Sequence, residues 1–160
     1  MLSLSQYLHE SHLAVVLCGS FLTFIAALSS RKVNKMMISL YMVFIVYMTV
    51  MYRQIGVGML NLDLFWSYRL FKISPFLRME ILNNIWLFIP LGAILYRLYP
   101  KWSVVLLPII VSLIIEVAQY MLGVGLCELD DVISNGIGGL IGVIACMCLR
   151  VYKCSFLHVE

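Results

Sequence analysis

Charge is what this chain has least of. Asp, Glu, Lys and Arg make up 12% of its 160 residues, against ~25% in ordinary soluble domains. That deficit excludes a water-covered globular surface. No acidic residue occurs between Ser11 and Leu62, and no Lys or Arg precedes Arg31. The second gap excludes a cleavable secretory signal, which needs a basic start, so the first apolar run is expected to be retained. No basic tract is interleaved with aromatics, and no nucleic-acid partner is expected. The cysteines (Cys18, Cys127, Cys146, Cys148 and Cys154) are odd in number and form no C-x-x-C, which argues against a disulfide framework. They read as small apolar packing residues, except Cys127, which falls in a loop. His9 and His12 stand three apart without a third ligand, a poor metal site. No metal and no cofactor is expected.

What is present is apolar sequence in long runs, 63% of the chain. The runs cover 13–28, 36–52, 80–99, 102–122 and 132–149. The first is short for a span, which needs ~20 residues, and residues 8–12 can extend it through the headgroup region. The expected fold is a single all-α integral membrane domain over 1–160, a bundle of five transmembrane helices. The connection 53–79 holds Gly56 and Gly58, then Phe65, Trp66, Tyr68 and Phe71, and is broken by Pro75. Its composition suits an interfacial or re-entrant piece. With the N-terminus outside, inner loops carry Arg31, Lys32, Lys35, Arg97, Lys101, Arg150 and Lys153, and outer loops carry Arg53, Arg69, Lys72 and Arg78. The excess of inner bases favours N-terminus out and C-terminus in.

The few polar residues inside these runs carry the chemistry. An ionised side chain at mid-membrane costs roughly 3 kcal/mol on insertion scales. Glu116 lies six residues before Leu122, ~9 Å deep at 1.5 Å per residue. Gln119 is one turn nearer the end on the same face. Asn83 and Asn84 are expected in the first turn or so of the third helix, and Asp131 and Asn135 at the start of the fifth. Helix direction alternates, so all of these fall at one membrane face. Each amide alone has a plain alternative as an interhelical cross-link. Asp130 or Asp131 has one as a helix cap. Glu116 is harder to assign to structure alone, because a buried carboxylate must find a partner or take up a proton. Arg69 and Arg78 could pair with these acids or hold a lipid phosphate. Pro90, two residues before Gly92, predicts a kink. Ser134, Gly138 and Gly142 make a stripe of small residues, widened by Gly136 and Gly139. Such a stripe lets backbones approach, either within the chain or across a homodimer seam.

At these residues the chain resembles the VanZ-like family, named for a membrane protein of teicoplanin-resistance gene clusters. The resemblance rests on three motifs in order. Asn84, Phe88, Pro90 and Gly92 match N-[ILV]-x-x-F-[ILV]-P-x-G, and Glu116 with Gln119 matches E-x-x-Q. Asp131, Asn135, Gly138, Gly139 and Gly142 match D-[DIV]-[ILV]-x-N-x-x-G-G-x-x-G. Asn61, Leu62 and Phe65 look like an upstream N-L-x-P-F stretch, with Leu64 where many members carry proline. Leu126 stands near a position where many carry arginine; if that arginine helps bind an anion, this chain uses Arg78 or does without. The likeness covers about 60–145; the first two helices show no diagnostic motif.

The resemblance implies a multi-pass protein of the bacterial cell membrane involved in tolerance of lipoglycopeptides such as teicoplanin. The residues leave three mechanisms open. In the first, Asn84, Glu116, Gln119, Asp131, Asn135 and Arg78 line an outward polar pocket. The pocket binds a lipid-linked cell-wall precursor or the lipoglycopeptide itself, among membrane lipids. In the second, Glu116 and Asp131 act as general acid and base of an enzyme modifying a lipid-linked glycan. In the third, Glu116 carries protons in a transporter or flippase.

Overall fold

In a computed structural model of the chain, residues 4–28, 30–51 and 59–156 are described, with side chains for 14–28, 30–50 and 59–149. The Gly56–Gly58 part of the connection, and the side chains of His9, His12, Arg150, Lys153 and Cys154, lie outside the described residues.

Among the described residues six helices follow one another: α1 (Leu4–Ala27), α2 (Arg31–Val46), a four-residue α3 (Trp66–Arg69), α4 (Pro75–Leu98), α5 (Leu106–Leu122) and α6 (Leu129–Phe156). A π-turn, Tyr47–Met51, prolongs α2, and a 3₁₀ turn, Trp102–Val105, leads into α5. Four helical stretches, Arg31–Val50, Pro75–Leu98, Trp102–Leu122 and Leu129–Leu149, are long and apolar enough to cross a membrane, and Ala14–Ala27 is a shorter apolar helix. Two three-residue strands, β1 (Met59–Asn61) and β2 (Leu126–Glu128), pair in parallel with Leu60 opposite Cys127. Apolar periodicity gave no hint of this ladder, because three residues are too few to carry a pattern.

Local chemistry sets the ends. Ser30 caps α2 by accepting from the Val33 N–H at 3.4 Å, and Ser74 caps α4 by accepting from Leu77. Pro75 occupies the first turn of α4, where its missing N–H costs nothing. It therefore starts the helix rather than merely breaking the connection, and α4 begins before the expected position 80. α5 stops at Gly123, whose φ of 64° only glycine adopts without strain. The Val124 N–H reaches back to the Gln119 carbonyl and the Gly123 N–H to that of Tyr120, satisfying the last turn as a Schellman motif does. α1 starts at Leu4, well before the expected 13, because nothing in 4–12 is Gly or Pro.

The helix α4 is the centre of the bundle. Every residue from Pro90 to Leu95 is buried, the mark of a helix surrounded on all sides. It runs unbroken through Pro90. α6 packs on it most extensively, α1 and α2 lie on its other flanks, and α5 leans mainly on α6. Hydroxyls tie the first two helices to it: Tyr41 donates to the Leu87 carbonyl at 2.8 Å, and Ser20 shares its hydroxyl with Tyr41 at 3.1 Å. Asn34 donates to the Ala27 carbonyl at the end of α1.

The small-residue stripe of α6 is spent within the chain. A Cβ on Gly138 would collide with the Ile85 carbonyl of α4, and one on Gly142 with the Ile89 carbonyl. A Cβ on Gly92 would collide with the Gly139 carbonyl, and one on Gly139 with the Pro108 ring of α5. In lipid no hydrophobic gain separates one helix contact from another, so close backbone approach is what favours this pairing. Gly136 stands apart, with only the flexible Ile109 side chain near it.

Gly142→Val should therefore destabilise the protein by at least ~2 kcal/mol, a fall of roughly 4–8 °C in detergent melting midpoint. Gly136→Ala, on the same helix, should shift it by less than about 2 °C. A melting curve followed by size-exclusion fluorescence checks both.

Candidate functional site

Three elements meet where α5 ends and α6 begins. β2 runs out of the α5 cap and straight into α6, and the 59–74 segment folds over them. Asp130, in the first turn of α6, holds that segment. Its carboxylate accepts from the Phe65 N–H at 2.6 Å, the Ser67 N–H at 2.9 Å and the Ser67 hydroxyl at 2.6 Å. Phe65 has φ 63°, a left-handed conformation that bulky residues avoid and that these bonds sustain. Tyr68, one turn on, meets the Ser134 hydroxyl at 2.7 Å. Asp130 thus anchors the connection from another helix rather than capping its own.

Beneath this strap lie three more carboxylates. Glu116 of α5, Glu128 of β2 and Asp131 of α6 are each no more than 4% exposed. Glu116 Oε2 accepts the Glu128 backbone N–H at 2.9 Å, joining α5 to β2. The Cys127 thiol reports their proximity: burial pushes its pKa up, and the charges of Glu116, Asp131 and Glu128 push it further. Burial also raises Tyr68, opposed by its Ser134 bond and reinforced by Asp130 and Asp131.

Amides sit deeper. Gln119 donates from Nε2 to the Thr49 carbonyl in the π-turn at 2.7 Å, tying α5 to α2. Asn135 donates to the Ser112 hydroxyl at 2.7 Å, tying α6 to α5. Both keep a buried oxygen, Gln119 Oε1 and Asn135 Oδ1, with no protein partner. Asn84 Nδ2 and Asn83 Oδ1 are likewise buried and unmatched. A buried polar atom without a partner costs about 1–3 kcal/mol, so such atoms mark where a water or ligand group would be favoured.

The sequence-predicted residues separate into groups. Glu116, Asp131, Gln119 and Asn135 come to one end of the bundle. Asn84 does not lie in the first turn of its helix: with α4 starting at Pro75 it is ~13 Å along, deeper than expected. Arg78 is half-buried in the first turns of α4, and no hydrogen bond or ion pair joins it to these acids among the described residues. Arg69 pairs with Asp63 instead, both largely exposed. Pro90, Gly92, Gly138, Gly139 and Gly142 form the α4–α6–α5 packing. Sequence reasoning missed Glu128, although a cluster of acids at 128–131 in a chain with eight in all was a visible signal. Ser112 was legible too, one turn below Glu116 on the same face.

Apolar helices around a buried polar end, with carboxylates drawn from three elements, define a multi-pass α-helical membrane protein with a built polar site. The profile of the VanZ/LLP1 family matches residues 13–150, and the chain belongs to that family. The match takes in α1 and α2, where no motif stood out. Over 141 residues the chain is 26% identical to Protein VanZ of Enterococcus faecium, covering 81% of this chain and 80% of that protein. No solved structure matches it.

Two outcomes follow from this geometry. Asp130→Ala removes three hydrogen bonds to one carboxylate, each worth about 1.5–3 kcal/mol. Amide exchange over 59–73 should accelerate at least tenfold while α4 and α6 stay protected, as read by exchange mass spectrometry. In a protein whose sole cysteine is Cys127, labelling by a maleimide at pH 7 should be slow and should rise with pH beyond the range of an ordinary thiol. Glu116→Gln removes one charge opposing the thiolate and should speed the reaction at fixed pH.

Proposed function

We propose that this protein acts in the bacterial cell membrane as a tolerance factor for teicoplanin-like lipoglycopeptides. Its polar end would bind a lipid-linked envelope molecule or the drug. The observation that carries the reading is the convergence of Glu116, Glu128 and Asp131 beside amide atoms that lack protein partners. Carboxylates accept hydrogen bonds from amines and sugar hydroxyls, and the unmatched amides offer one donor, Asn84 Nδ2, and several acceptors. Membership of the VanZ/LLP1 family and likeness to Protein VanZ support the glycopeptide connection. The reading places five spans across the membrane, with α1 as the short fifth, the N-terminus outside and the polar end at the outer face. The distribution of bases supports that orientation. A homodimer in this scheme would use a surface other than the α6 glycines.

A sensitive Gram-positive host expressing the wild type should tolerate more teicoplanin and no more vancomycin than a host with empty vector. Glu116→Gln, at equal membrane level, should return tolerance to the empty-vector value. Full tolerance in that variant would make the site assignment wrong. No tolerance with the wild type would detach the family resemblance from this role.

A further inference from the structure

The other end of the bundle carries a second chemistry. Among the residues with described side chains, the acids (Asp63, Glu80, Glu116, Glu128, Asp130 and Asp131) all belong to the polar end. Arg31, Lys32, Lys35, Arg97 and Lys101 gather at the opposite end, where α1 and α4 finish and α2 starts. A cavity of about 320 Å³ opens there, lined by Arg31, Tyr96, Arg97, Leu98 and Pro100. That is the small end of the ligand-cavity range of ~300–1,000 Å³, suited to a headgroup rather than a whole lipid.

The arginines are held in place rather than loose. Arg31 donates from Nη2 to the Leu98 carbonyl, the last of α4, at 2.9 Å. Arg97 donates to the Leu28 carbonyl just past α1 at 3.4 Å. These bonds satisfy helix C-terminal carbonyls and place positive charge at the negative ends of two helices. A guanidinium has five N–H donors in a flat fork. A single bond from Nη2 to Leu98 uses one donor of Arg31 and leaves the others able to meet a tetrahedral anion. Two cations on converging helices, one phenol and an apolar wall of Leu98 and Pro100 make a site for a phosphate carrying an apolar ester.

We propose that this cavity binds a phosphate group, with Arg31 as the bidentate ligand and Arg97 as the second charge. The phosphate can belong to an anionic lipid headgroup or arrive free. Basic pockets between membrane helices take such groups where the leaflet is anionic. The site is remote from the polar end, so its fate does not depend on the glycopeptide reading.

The test uses the full chain, delipidated in detergent. It is titrated with short-chain phosphatidylglycerol, with a phosphate-free glucosyl diacylglycerol of equal chain length and with inorganic phosphate, and bound species are counted by native mass spectrometry. The wild type should bind phosphatidylglycerol about tenfold more tightly than the glucosyl diacylglycerol. Arg31→Gln should lose that preference, Arg31→Lys should regain part of it, and Arg69→Gln, at the other end, should leave it intact. Displacement of the lipid by inorganic phosphate makes free phosphate a ligand of the site. Its absence, with the headgroup preference present, assigns the site to the lipid. Equal binding of both lipids by the wild type overturns the proposal, whatever the variants do. So does a preference that survives in folded Arg31→Gln.

Discussion

The rest of the structure depends on the backbone contact between α4 and α6. Gly138 and Gly142 lie against the Ile85 and Ile89 carbonyls, and Gly92 lies against Gly139. In water a helix pair can rely on burying apolar area. In lipid it cannot, since the acyl chains are as apolar as leucine. Contact must then come from shape, and glycine at spacing four gives the closest approach. One turn up α6 from this seam stands Asn135, and another turn up stands Asp131. Any loosening of the seam moves both relative to α4.

The second constraint is the treatment of backbone and carboxylate groups at the polar end. A three-residue strand and a four-residue helix cannot stabilise themselves. They are held by β-pairing to the α5–α6 junction and by Asp130, which accepts three hydrogen bonds from 65–67. The same junction carries Glu128, whose N–H is the partner of Glu116. Closing the connection and holding the carboxylates are thus one structural act. The basic end uses the reverse logic, with arginines on the last carbonyls of α1 and α4, and the chain is left polarised from end to end.

The membrane class, the helical runs and the meeting of Glu116, Gln119, Asp131 and Asn135 were legible in the sequence. Apolar run length and the alternation of helix direction fix those features without any distance. Helix starts were less legible. Pro75 looked like a breaker and is a first-turn residue, which moved the start of α4 from 80 to 75 and set Asn84 about 1.4 turns deeper than its expected place. Glu128 escaped because it lies in a connection, where no periodicity assigns a face. The role of Asp130 escaped because its partners are some 65 residues away, and no local rule predicts a cap supplied by another helix. Arg69 and Arg78 were grouped with the acids by charge alone; Asp63, six residues from Arg69, was the nearer partner.

The connection returns to the α5–α6 junction and closes the carboxylate site. Disulfide trapping tests it most directly. Leu60 stands opposite Cys127 across the ladder, and paired strands lie ~4.8 Å apart, within the ~4.4–6.8 Å that a disulfide spans between Cα atoms. With Leu60→Cys in a chain whose only other cysteine is Cys127, mild oxidation in native membranes should give a cross-linked monomer in high yield. Leu64→Cys should not. Failure of the first pair, or equal yield from both, would contradict the closed site.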